Sequence, residues 1–91
     1  EVIHLQETGR TIELLLQFMS RTSQPEVRKL GFQDLALLAE AAEKYEVYAA
    51  IPPCKQHMVL ARDKHPFPVM AYAARHGYHD IADQAAWVTL S

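Results

Sequence analysis

Two consecutive prolines, Pro52-Pro53, limit what this chain can fold into more than any other feature. Proline has no backbone N–H and its ring clashes with the preceding helical turn, so the pair cannot lie inside a helix, although a first turn accepts it. The C-terminal half is therefore a series of short helices. The pair predicts a helix from about Ala50 to Arg62, with Ile51, Cys54, Met58 and Ala61 on one stripe. His65-Pro66 starts the next, running to His76 with Phe67, Met70, Ala71 and Ala74 facing inward. Gly77 follows at the position where a left-handed conformation suits glycine. Asp80 is expected to cap a last helix carrying Ile81, Ala85, Val88 and the neighbouring Trp87.

Upstream, Phe32 to Glu46 has the clearest helical period, with Leu35, Leu38, Ala39, Ala42 and Tyr45 on one face. Glu40 and Lys44 form a favourable i,i+4 pair on the other. Ile12, Leu15, Leu16 and Met19 mark a helix from about Thr8 to Ser20, and Leu14 and Phe18 widen its apolar arc. Between these two helices, Arg21 to Gly31 reads as a polar connection punctuated by Pro25 and Gly31. Glu1 to Gln6 (EVIHLQ) is short, apolar and β-branched, and reads as a strand. The fold class is mostly α: one short N-terminal strand followed by about five short antiparallel helices. Small alanine faces on three of the helices (Ala39, Ala41, Ala42; Ala71, Ala73, Ala74; Ala82, Ala85, Ala86) let them approach closely.

A chain of 91 residues makes one small domain. At 49% hydrophobic and 22% charged it suits a folded chain and not a disordered one. The net charge of −2, with both signs interspersed, gives no basic stripe for a phosphate backbone, so nucleic acid is not an expected partner. The most apolar run, Ile12 to Met19, is interrupted by Glu13 and Gln17 and is too short to span a bilayer. No membrane association is expected. A single cysteine cannot form an internal disulfide, which favours an intracellular setting, cytoplasmic or nuclear. The chain opens on a strand-like segment without an initiating methionine, as part of a longer protein would.

Cys54 and His57 are the residues most open to a chemical reading. Their i,i+3 spacing makes them neighbours on a helix, and His76-x2-His79 repeats the spacing downstream, as in some zinc sites. A cysteine nucleophile, however, needs a base and an oxyanion hole, and the preceding prolines offer no N–H for one. Cys54 shares its stripe with Ile51 and Met58, where a free cysteine behaves as a small hydrophobe. His76 ends a helix, where a partial positive charge suits the dipole. No paired carboxylates, phosphate loop, Ser-His-Asp pattern or dinucleotide fingerprint is present. The chain is therefore read as non-enzymatic, with no catalytic residue, cofactor or metal. The alternative is a metal- or small-ligand-binding helical module using Cys54 and the histidines.

The order of elements carries a resemblance. A strand VIHL (2–5), a helix TIELLLQFM (11–19), a polar loop, a helix FQDLALLAEAAEKYEV (32–47) and a helix containing CKQHM (54–58) resemble the C-terminal half of a BTB/POZ domain. The segment HPFPVMAYAARHGYHDIADQAAWVTL (65–90) is similar to the tail of BTB-domain proteins abundant in fungi. The resemblance implies that residues 1–62 are the C-terminal part of the domain and that 63–91 are a helix pair packed on it. It also implies that Cys54 is a core residue in a hairpin between the second and third helices. It implies a protein-interaction role, by self-association or by recruitment of a partner such as a cullin-type ubiquitin-ligase scaffold. Tyr45 matches a tyrosine that contacts the cullin in some adaptors. Where such adaptors carry an aromatic residue and Thr-Gly, this chain has Phe18-Met19-Ser20-Arg21. Val2 and Leu5, on a strand with no partner strand downstream, and Leu14 and Phe18, on the wide arc of the first helix, are the other residues expected to meet a partner or a second copy.

Overall fold

The computed structural model describes residues 9–20 and 25–90. Among them are five α-helices, α1 (Gly9–Met19), α2 (Phe32–Lys44), α3 (Ile51–Leu60), α4 (Pro66–Arg75) and α5 (His79–Leu90), with a short 3₁₀ turn at Val27–Lys29. No strand occurs among the described residues, and the segment read as a strand, with Val2 and Leu5, lies outside them. The mostly helical class holds.

The prolines act as the sequence requires. Ala50 precedes α3, and the first intrahelical bond is the Cys54 N–H to the Ala50 carbonyl, 3.1 Å. Pro52 and Pro53 occupy the first turn, where backbone N–H groups have no intrahelical acceptor, so two unsatisfied donors are simply absent. Pro66 opens α4 in the same way, with the Val69 N–H donating to the His65 carbonyl at 3.2 Å.

Two helices end alike. Beyond α4, Gly77 has φ +77° and the Tyr78 N–H donates to the Ala73 carbonyl at 2.8 Å. Beyond α2, Glu46 has φ +55° and the Val47 N–H donates to the Ala42 carbonyl at 2.9 Å. Both are Schellman closures, in which one left-handed residue lets the chain reverse and satisfy the last carbonyls. Glycine fills that position after α4. Glu46 fills it after α2 and carries the steric cost of a Cβ there. These closures keep the following links short. Asp80 is not the cap of α5. The helix starts at His79, the Ala82 N–H bonds the Tyr78 carbonyl, and Asp80 stands in the first turn, where its charge suits the positive end of the dipole.

Three pairs of consecutive helices are packed neighbours, α1 on α2, α2 on α3, and α4 on α5, and α4 also meets α2. Helix α2 is the centre, burying Leu35, Leu38, Ala39, Ala41 and Ala42, an arc too wide for a single neighbour. The alanines on this arc bring other helices close to its backbone. Cys54 and Met58 of α3 and Val69 and Tyr72 of α4 complete the core. Val27, inside the connection read as polar, is also buried, and its turn packs on α3.

The buried faces of α1 and α4 differ from those expected. In α1 the inward residues are Thr11, Leu14, Leu15 and Phe18; Ile12 is half-buried, and Leu16 and Met19 are exposed. Helix α1 is apolar on two sides, and its period alone does not choose between them. In α4 the inward residues are Val69, Tyr72 and Ala73, while Phe67, Ala71 and Ala74 are exposed and Met70 is half-buried. The reason is polar. Tyr72 can enter the core because its hydroxyl finds a carboxylate there, and this turns the helix away from the Phe67 side. In α5, Ile81 and Ala85 are buried as expected, and Trp87 is exposed.

Candidate functional site

Cys54 is fully buried on α3, as its stripe implied. Burial and, secondarily, the nearby Glu43 charge push its thiol up to about 12. A thiol held so far from ionisation is a poor nucleophile and a poor metal ligand. His57 is turned to the backbone, its Nδ1 lying 3.0 Å from the Pro53 carbonyl oxygen. Among the described residues, no three His, Cys, Asp or Glu side chains come together in a way that could hold a metal ion. Cys54→Ser is expected to cost about 1–2 kcal/mol, because a hydroxyl replaces a thiol in an apolar setting. Thiol-reagent labelling of the native protein should be slow and should quicken only on unfolding. Rapid labelling of folded protein would contradict this placement.

The polar chemistry that the structure does assemble joins α2 to the end of α4, and the sequence reading missed it. Glu43 accepts hydrogen bonds from the Tyr72 hydroxyl at 3.0 Å and from the Tyr78 hydroxyl at 2.5 Å. One turn earlier, Glu40 accepts from the Arg75 guanidinium and lies 2.7 Å from His76 Nε2. Lys55 of α3 places its ammonium 3.9 Å from the centre of the Tyr78 ring, a cation–π contact on the outer side of the cluster. The Schellman closure at Gly77 makes this arrangement local: it sets Tyr78 beside Tyr72, their rings 5.9 Å apart.

The electrostatics follow from these contacts. Burial alone would raise the Glu40 carboxyl, but the hydrogen bonds and charges of Arg75 and His76 outweigh it and hold Glu40 below its ordinary value. Burial and the hydrogen bond to Glu43 raise the Tyr72 phenol and push that of Tyr78 up to about 12. Both phenols therefore stay protonated and serve as donors. Glu40 is also engaged beyond its own helix, since its carboxylate reaches across to α4. The missed signal was i,i+3 spacing of Glu40 and Glu43 on α2, facing four polar side chains within residues 72–78. Nothing in the sequence says that those two short segments meet.

The residues expected to face a partner are split. Leu14 and Phe18 are buried in the chain's own core and offer nothing to a second chain in this conformation. The reason is the rotated face of α1: the side of the arc left open is the one with Leu16, 60% exposed, and Met19, 66% exposed. The helical period puts Tyr45 on the buried stripe of α2. It stands instead at the end of that helix, 43% exposed, with the Lys44 ammonium over its ring. Tyr48, beyond the turn, is also exposed and donates to Glu46 at 2.8 Å.

No protein-family model matches the chain, and no curated protein or solved structure matches it. Among the described residues, no helix is long and apolar enough to cross a membrane.

Proposed function

We propose that the chain is a non-enzymatic protein–protein interaction domain of BTB/POZ type, corresponding to the C-terminal half of such a domain with its following helix pair. The observation that carries this reading is the outer stripe of α1. Ile12, Leu16 and Met19 recur at i, i+4 and i+7, on the side of the helix away from Leu14 and Phe18. A helix that only covered a core would place polar residues there. Two large, well-exposed apolar side chains on one stripe favour burial against another polypeptide. The seam at Glu40 and Glu43 supports the same reading, since its polar groups are engaged with one another within the fold.

Self-association is the leading form of this interaction. In sedimentation at micromolar concentration, the native chain should exceed monomer mass. The double substitution Leu16→Asp with Met19→Asp should return it to monomer without loss of helical circular dichroism. A sharp monomer for the native chain at every concentration would overturn self-association. The other form is recruitment of a cullin-type ubiquitin-ligase scaffold. There the accessible Tyr45 is the first residue to substitute, and a Tyr45→Ala chain that bound such a scaffold unchanged would remove it from the interface.

A further inference from the structure

We propose that α4 and α5 form a detachable hairpin, latched onto α2 by the Glu40–Glu43 seam and able to leave while the α2–α3 pair stays folded. Four observations lead to this. First, α4 and α5 pack far more extensively on each other than either does on the rest of the molecule, and α4 meets α2 only along a short seam. Second, the side-chain hydrogen bonds described between the hairpin and α2 all gather at one end. Tyr72, Arg75, His76 and Tyr78 supply them, and Glu40 and Glu43 receive them.

Third, the other end is held differently. His65, just before α4, stacks on Phe32 at the start of α2, with ring centroids 4.0 Å apart and planes 11° from parallel. The chain enters α4 there through the turn Ala61–Lys64, and His65 itself lies outside helical and extended geometry (φ −135°, ψ 58°). A non-helical residue between a turn and a helix is where a rigid-body rotation costs least. Fourth, Tyr72 and Tyr78 both donate to Glu43, and these groups form no reactive arrangement. The cluster's role is adhesion: it satisfies polar groups only while the hairpin is docked.

Each charged hydrogen bond of this kind contributes more than a neutral one, and removing one partner leaves the other short of a bond in a partly buried place. The latch is therefore cooperative. Loss of the carboxylates unfastens Tyr72 and Tyr78 together with Arg75 and His76. An undocked pair of helices of ten and twelve residues is marginal in water, so its amides then exchange with solvent.

The test is hydrogen exchange read by mass spectrometry on the whole chain at neutral pH. In the native protein, amides of α4 and α5 should exchange through a smaller opening than those of α2 and α3. Replacing Glu40→Gln together with Glu43→Gln should speed exchange in the hairpin about tenfold or more while changing α2 and α3 several-fold less. If all four helices quicken by the same factor, the chain opens as one unit and the proposal fails. It also fails if the hairpin is unchanged. Tyr78→Phe, which removes one donor from Glu43 and keeps the ring, decides the matter if the double variant does not fold. It should give the same selective pattern at smaller amplitude, and a uniform or absent response would again refute the latch.

Discussion

Replacing Tyr72 with alanine should destabilise the fold by about 3–5 kcal/mol, the range for removing a large buried aromatic side chain. Tyr72 is the largest fully buried side chain, and it does two jobs. Its ring fills the space between α4 and the core, and its hydroxyl donates to Glu43. Truncation leaves a cavity and takes one donor from a carboxylate that then depends on Tyr78. A chain of this size has a total stability of roughly 5–14 kcal/mol at ordinary per-residue values, so the loss is a large fraction of what holds it together. Tyr72→Phe separates the two jobs. It keeps the ring and should cost about 0.5–1.5 kcal/mol, the net value of one hydrogen bond. Urea unfolding followed by circular dichroism measures both. If phenylalanine cost as much as alanine, the hydroxyl alone would carry the effect, and the packing role given to the ring would be wrong.

The second large effect belongs to α2. Leu38 is 0% exposed and its neighbour Leu37 is 39% exposed. Leu38→Ala should cost about 2–5 kcal/mol, since the lost methyl groups leave a cavity on a helix packed by α1, α3 and α4 at once. Leu37→Ala should cost under about 1 kcal/mol, as for a site already in partial contact with water. The pair has identical chemistry and adjacent positions, so backbone propensity cancels. The difference reads burial directly, and equal losses at the two sites would mean that α2 is rotated from the orientation described.

The sequence by itself determined where the helices are, because their boundaries have local causes. Pro52-Pro53 and Pro66 can stand only at helix starts, and Gly77 supplies a left-handed residue that ends a helix. Most of the inward set of α2 was legible as well, because its apolar side chains share one broad face; the exceptions are Tyr45, which is exposed, and Ala41, which is buried beside the expected stripe. So was the burial of Cys54, which shares its stripe with Met58. Local rules missed two termini: Glu46 takes a left-handed conformation that its side chain does not announce, and α5 starts at His79 with Asp80 already inside its first turn.

Tertiary structure decided the rest, and the reason is the same in each place. Helices α1 and α4 carry apolar residues around more of their circumference than one neighbour can cover. Period alone could not say that Leu14 and Phe18 go inward while Leu16 and Met19 stay out, or that Val69 and Tyr72 displace Phe67. In α4 the choice fell to Tyr72, whose hydroxyl is satisfied only against Glu43. That carboxylate lies 29 residues earlier in the chain. Glu40, whose local spacing points only to Lys44, also meets Arg75 and His76 from 35 and 36 residues away. Local spacing records what a residue can do within its own helix. Which distant carboxylate a phenol or a guanidinium will reach is set only when α4 folds back onto α2, because hydrogen bonding depends on separations of about 3 Å that no sequence interval specifies.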